Sequence, residues 1–246
     1  MAREDLAGVL QNCHFLQKLA AEDLTINSDE IDYICQNGNT LQILSLVGCN
    51  IDYHHRTESI KKLLTSCPQL TELNISYNNL LLDQHVCALV KNLPANILKL
   101  HLQGVNDKHV RTLVSRCNKI TELDLSHTSI TNDSLDSIIK HLNFLEKLDV
   151  SYTNIDFSML GQLKEIPTLK ILRFETWNND DTEKIKNLKL QLPHVSINEE
   201  YLHIARPTNY FVPDCEDWLW EIKTKQQDLF SKNRYLVGVS SARTHH

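Results

Sequence analysis

The chain has 246 residues, of which 41% are hydrophobic and 23% charged, an ordinary globular composition that excludes a disordered chain. Its net charge of −6 lacks the basic footprint that nucleic-acid binding leaves, so no nucleic-acid partner is expected. There is no apolar run of 18 residues and no apolar signal core near Arg3, Glu4 and Asp5, so neither a membrane partner nor export is expected, and the expected location is nucleus and cytoplasm.

In chain order, one apolar pattern returns at Leu16, Leu41, Leu70, Ile97, Ile120, Leu145, Leu169 and, more weakly, Leu192, at steps of 23–29 residues. The pattern is L-x-x-L-x-L-x-x-N/C-x-L, the signature of leucine-rich repeats. Leu41, Leu44, Leu46, Cys49 and Ile51 fill one unit, and Leu70, Leu73, Ile75, Asn78 and Leu80 the next. Thr128 and Thr153 take the Asn/Cys slot of later units, while Ala21 weakens the first and the last stops after Ile197. Irregular end units are expected where a stack must be closed.

Between the predicted strands a second pattern recurs. Val86, Leu89, Val90 and Leu93 stand at i, i+3, i+4 and i+7, as do Val110, Leu113, Val114 and Cys117, and Leu135, Ile138, Ile139 and Leu142. This spacing predicts helices with one apolar face. Asp83, Asp107 and Asn132 precede them at a constant offset and are the predicted N-caps. Each unit thus reads strand, turn, capped helix, return. The predicted fold is an α/β leucine-rich-repeat solenoid, a horseshoe arc with parallel strands on the concave face and helices on the convex face. About eight units fill residues 1–198, and 199–246 form a tail. Two of the three tryptophans, Trp218 and Trp220, predict that 199–225 docks on the repeats; the remainder is expected to be mobile.

The seven cysteines include no CxxC pair, so no metal site is expected from spacing. Cys13, Cys67 and Cys117 each stand three residues before the start of a unit and are expected to be buried, reduced thiols. His54-His55 and His245-His246 lack neighbouring Cys and are expected to be exposed. No phosphate-binding loop, dinucleotide fingerprint or nucleophile elbow is present, so the expectation is a non-catalytic protein without cofactors.

Candidate partner-binding residues come from two places. Residues flanking the strand leucines, Asp124 and Asp149 among them, face the concave side as a polar strip, either a solvated sheet or a protein-binding surface. Tyr77, His127 and Tyr152 share one turn position, with Trp177 one residue beyond its counterpart. Such an aromatic column either anchors a partner or packs on the chain itself.

The last third is more specific. IPTLKIL at 166–172, LPHVSIN at 192–198, IARPT at 204–208 and the tail around Trp220-Glu221-Ile222-Lys223 resemble the S-phase kinase-associated F-box/leucine-rich-repeat family. The resemblance extends more loosely from Leu16 to Lys223. It implies the substrate receptor of an SCF (Skp, cullin, F-box) ubiquitin ligase, directing cell-cycle regulators to proteasomal degradation. The implied partners are a phosphorylated cell-cycle regulator and a small cyclin-dependent-kinase regulatory subunit. That subunit's contacts in the family correspond to Tyr77, Asn106, His127 and Tyr152, where the charges of the last three are missing. Residues 1–40 contain no LP-containing F-box helix, so Skp and cullin are expected as partners only of a product that carries one. The alternative is a stand-alone binding scaffold or a competitor without ligase coupling; an enzyme or enzyme regulator is the third class.

Overall fold

The computed structural model describes residues 6–52, 54–78, 82–176, 182–198 and 236–240. The repeat strands are β1 (Lys18–Glu22), β3 (Ile43–Val47), β5 (Glu72–Asn74), β6 (Lys99–His101), β7 (Glu122–Asp124), β8 (Lys147–Asp149), β9 (Ile171–Arg173) and β10 (Ser196–Ile197). They pair in parallel, each with the next, which places Leu19, Leu44, Leu73, Leu100, Leu123, Leu148 and Leu172 in one register row. That row is at most 1% exposed along its length, so it forms the spine of the core. β2 (Thr25–Ile26) and β4 (Asn50–Ile51) add a two-stranded sheet beside the first turns.

The crossovers are α1 (Leu6–Leu10), α2 (Ser28–Gln36), α3 (Arg56–Ser66), α4 (Asp83–Asn92), α5 (Asp107–Arg116), α6 (Asn132–His141), a 3-10 helix over Phe157–Glu165, and α7 (Thr182–Gln191). Each packs on its neighbours in sequence, α2 on α3, α4 on α5, α5 on α6. Strands stack about 4.8 Å apart and helices about 8–10 Å apart, so the sheet takes the inside of the curve. The predicted helix faces are buried, Val86, Leu89, Val90, Val110, Leu113, Val114, Leu135 and Ile138 all at 2% exposure or less.

The slot that alternates among Asn, Cys and Thr has a physical rule. Its side chain must donate to backbone carbonyls that the strand-to-helix turn leaves open. Asn78 Nδ2 donates to Leu46 O of the preceding unit at 2.6 Å and to Ile75 O of its own at 3.1 Å. Cys49 Sγ lies 3.4 Å from Ala21 O and 3.6 Å from Val47 O. Thr128 and Thr153 reach only their own units, at Leu125 O and Val150 O.

Two expectations are corrected. The N-caps lie one residue earlier than predicted: Leu82, Asn106 and Thr131 hold these places, and Asp83, Asp107 and Asn132 are the first helical residues. Asn106 and Thr131 are themselves capping types and accept from His109 N and Asp133 N, so the constant offset of the three acidic or amide residues marked the first helical residue instead. The unit after β8 carries a 3-10 helix in place of an α-helix. Its Phe157, Leu160 and Leu163 recur every three residues, the period of that tighter turn.

Cys13, Cys67 and Cys117 are buried as expected, and burial pushes the Cys67 thiol up to about 12 and Cys117 up to about 11. Within the tail segment expected to be mobile, β11 (Leu236–Ser240) pairs in parallel with β1, Lys18 opposite Leu236. The expected docking of 199–225 and the fifth apolar position at Leu80 lie outside the described residues.

Candidate functional site

The turns after β5, β7 and β8 are built alike. Asn74, Asp124 and Asp149 end their strands, and the Oδ1 of each accepts the amide two residues on, from Ser76, Ser126 and Ser151 at 3.0, 2.9 and 2.9 Å. That local bond tightens the chain, and the next residue turns left-handed. The φ values at this position are +53° at Asp23, +58° at Tyr77, +56° at His127 and +57° at Tyr152, with +64° at Gly48 and +72° at Gly104. Glycine enters this region freely, whereas a side chain with a Cβ costs about 1–2 kcal/mol. Three of the six units therefore hold an aromatic ring where glycine would be cheaper.

The amides of Gly48 and of the three ring-bearing residues point to the next unit. Gly48 N donates to Ser76 O, His127 N to Ser151 O and Tyr152 N to Glu175 O, while Tyr77 N donates to the Gln103 side chain at 2.8 Å. The rings do not form one continuous column. His127 and Tyr152 stack with centroids 4.5 Å apart and planes at 21°. The Tyr152 hydroxyl donates to Glu175 Oε2 at 2.6 Å. Gly104 separates this pair from Tyr77, whose phenol is pushed up to about 12 by burial and by the charges of Asp124 and Asp149. His127 is exposed, and burial of part of its ring holds it below the usual histidine value. Trp177 lies outside the described residues. Asn106 stands apart from the turn column, half-buried at the N-terminus of α5, in a reciprocal cap with His109.

The sheet face beside the turns is half-buried and its charges are ordered by register. One row runs Glu72, Lys99, Glu122, Lys147, alternating in sign, with Lys99 Nζ 3.1 Å from Glu72 and Lys147 Nζ 3.8 Å from Glu122. The parallel row runs His101, Asp124, Asp149, Arg173. His101 sits between Glu122 at 3.5 Å and Asp124 at 3.3 Å. Burial opposes its charge, but the two carboxylates overcome it and raise the imidazole to about 10. Asp124 and Asp149 are each only 6% exposed, so these two candidates are recessed turn builders. Burial and the neighbouring Asp124 raise the Asp149 carboxyl to about 7.

Two further groupings cross repeats. His54, His55, Arg56, Tyr77 and His85 border a cleft between the start of α3 and the start of α4. Asp83, Cys87 and His109 converge on the opposite side of α4, and they escaped sequence reasoning because the residues come from two helices. A signal was present: Asp83-Gln84-His85-Val86 and Asp107-Lys108-His109-Val110 repeat at a spacing of 24, with Cys87 one helical turn after Asp83.

A parallel sheet of stacked strand–helix units with a polar face and a rim of ordered turns defines a leucine-rich-repeat solenoid, a protein-interaction module. The chain belongs to the SKP2 LRR domain family, which it matches over residues 1–227. Among solved structures it is similar to an internalin, InlF, from Listeria monocytogenes, at 18% identity and a TM-score of 0.50 over 79% of this chain, spanning 60% of the internalin. The actin-binding site 2 of leiomodin-1 aligns at 16% identity and a TM-score of 0.39, over 71% of this chain and 96% of that one.

Proposed function

We propose that this chain is the substrate-recognition module of an SCF-type ubiquitin ligase, acting in nucleus and cytoplasm to select cell-cycle regulators for proteasomal degradation. The observation that carries the reading is the family match over residues 1–227, which spans the repeats and reaches into the tail. The module itself is non-catalytic: it holds a phosphorylated protein substrate, and the ubiquitin transfer is performed by other components joined through Skp and cullin. The turn residues supply the contact surface. Tyr77, His127 and Tyr152 keep aromatic rings at left-handed positions where glycine would be less strained, a cost that contact with a partner offsets. A cyclin-dependent-kinase regulatory subunit docks on this rim in the same reading, with ring contacts in place of ion pairs.

The test is affinity capture from lysate, using the chain alone and the chain fused behind a Skp-binding F-box. The expected result is a phosphorylated cyclin-dependent-kinase inhibitor in both captures, lost after phosphatase treatment, and cullin in the fused capture alone. The double variant Tyr77→Gly, His127→Gly keeps its melting temperature within a few degrees and loses the inhibitor at least tenfold. Absence of a shared phosphorylated cargo removes the ligase reading and leaves a stand-alone scaffold.

A further inference from the structure

Asp83 opens α4, and Cys87 follows one turn later on the same face, as residues four apart on a helix must. Stacking of the next unit brings His109 of α5 against them. His109 Nε2 lies 3.1 Å from Asp83 Oδ1 and 3.4 Å from Cys87 Sγ, and Cys87 Sγ lies 3.7 Å from Asp83 Oδ2. Zinc binds sulfur at about 2.3 Å, imidazole nitrogen at about 2.0–2.1 Å and carboxylate oxygen at about 2.0–2.2 Å, with tetrahedral angles. Those bond lengths require ligand atoms roughly 3.3–3.6 Å apart. The observed separations bracket that range, with Asp83 turning one carboxylate oxygen to His109 and the other to Cys87. One ligand atom from each residue lies within 4.8 Å of the other two, and a small rotation of the exposed Asp83 carboxylate brings a single oxygen, the sulfur and the imidazole nitrogen onto one face of a tetrahedron.

We propose that Asp83, Cys87 and His109 form a three-ligand site for a zinc-class divalent cation that clasps α4 to α5 and keeps its fourth position open to water or to a ligand from a partner. The mixed oxygen, nitrogen and sulfur set suits Zn²⁺ or Co²⁺ and disfavours Mg²⁺ and Ca²⁺, which take oxygen. The side chain of Asp83 is 62% exposed and that of His109 2%, so the open vertex faces solvent while the imidazole is fixed from behind. Binding takes the proton of the Cys87 thiol, which passes to solvent, and the two anionic ligands balance the ion's charge.

One local bond must yield. Without metal, His109 Nδ1 accepts the Asn106 amide at 3.3 Å, which places the ring proton on Nε2, directed at Asp83. Coordination through Nε2 moves that proton to Nδ1 and gives up this long hydrogen bond in exchange for three coordinate bonds. The return contact, His109 N to Asn106 Oδ1 at 3.2 Å, is unaffected.

The test is anaerobic titration of the chelator-stripped full chain with Co²⁺, followed by displacement with Zn²⁺. The expected result is one equivalent bound with tetrahedral visible absorption and a thiolate-to-cobalt charge-transfer band. Cys87→Ser abolishes the band and weakens Zn²⁺ binding at least tenfold, and Asp83→Asn weakens it less. Cys35→Ser, which removes another half-buried thiol, leaves the spectrum unchanged. Zn²⁺ raises the melting temperature of the wild type and not of Cys87→Ser. Cys87→Ser and Asp83→Asn melt like wild type in the absence of metal, so lost binding is not lost folding. An octahedral spectrum without charge transfer, or Zn²⁺ affinity unchanged in Cys87→Ser, overturns the proposal.

Discussion

Asp149 carries two opposing duties. Its Oδ1 shapes the turn by accepting Ser151 N, and its carboxyl lies in register beside Asp124 in a nearly dry row. Like charges in neighbouring strands cannot both ionise cheaply, so the Asp149 proton is held up to about 7. A carboxyl whose folded value exceeds its unfolded one binds extra protons in the native state, so stability falls as pH rises from about 4 to about 7. His101, raised to about 10, acts in the same direction: its stabilisation is full below about 6.5 and fades as pH climbs toward 10. Asp149→Asn keeps a side-chain Oδ1 to accept Ser151 N and removes the second charge. The variant is expected to be more stable than wild type at pH 8, on the order of 1–3 kcal/mol, and to match it near pH 4. Chemical denaturation at the two pH values checks this; an equal gain at both would place the effect outside Asp149 ionisation.

At the scale of one helix, the caps reveal how units are joined. Asp107, the first residue of α5, is not the cap of that helix, a place Asn106 holds. Its carboxylate accepts Thr131 N at 2.8 Å, Thr131 Oγ1 at 2.9 Å and the Ser134 hydroxyl, so it secures the start of α6 in the following unit. Burial would raise this carboxyl, but the bonds from Ser134 and Thr131 outweigh it and hold it below the usual range. Asn132, the first residue of α6, repeats the device: its Oδ1 accepts Asp156 N at 2.9 Å and its Nδ2 donates to Asp156 Oδ2, while Asp52 ties Ser28 to Ser59. Asp107→Ala strands three donors and is expected to cost about 1–3 kcal/mol. A depressed carboxyl contributes its stabilisation above the unfolded value and loses it as pH falls below about 4, so the gap between variant and wild type closes in acid. Hydrogen exchange is expected to quicken in the first turn of α6 rather than of α5; the reverse pattern would show that Asp107 caps its own helix.

Across the whole molecule, no unit closes a core by itself. Leu125 is fully buried, and its amide donates to Asp149 O of the next unit at 2.9 Å. Leu125→Asp places a charge in that shared interior, and the damage spreads through nearest-neighbour interfaces. We expect loss of several repeats together, read as a fall of well over ten degrees in melting temperature and as fast exchange in β6, β7 and β8. Exchange confined to β7 would show that units unfold independently. The ends of the stack obey the same logic. β1 would present an open parallel edge, and β11 covers it by pairing along all five of its residues.

The sequence by itself determined the period, the strand leucines and the buried helix faces, because each depends on residues a few places apart whose burial repeats in every unit. Leu73, Leu100 and Leu123 could be placed in one row from spacing alone, and so could the shared turn position of Tyr77, His127 and Tyr152. Only the tertiary structure decided which side chains meet across units. The His127–Tyr152 stack, the His101–Asp124–Asp149–Arg173 row, the reach of Asp107 into the next helix and the Asp83–Cys87–His109 triangle all join residues roughly one period apart. Their contacts depend on the register of stacking and on side-chain direction, and a linear pattern encodes neither. For the same reason the recessed position of Asp149 was hidden: its alternation along the strand reads as polar and outward, but the turn it builds folds over it.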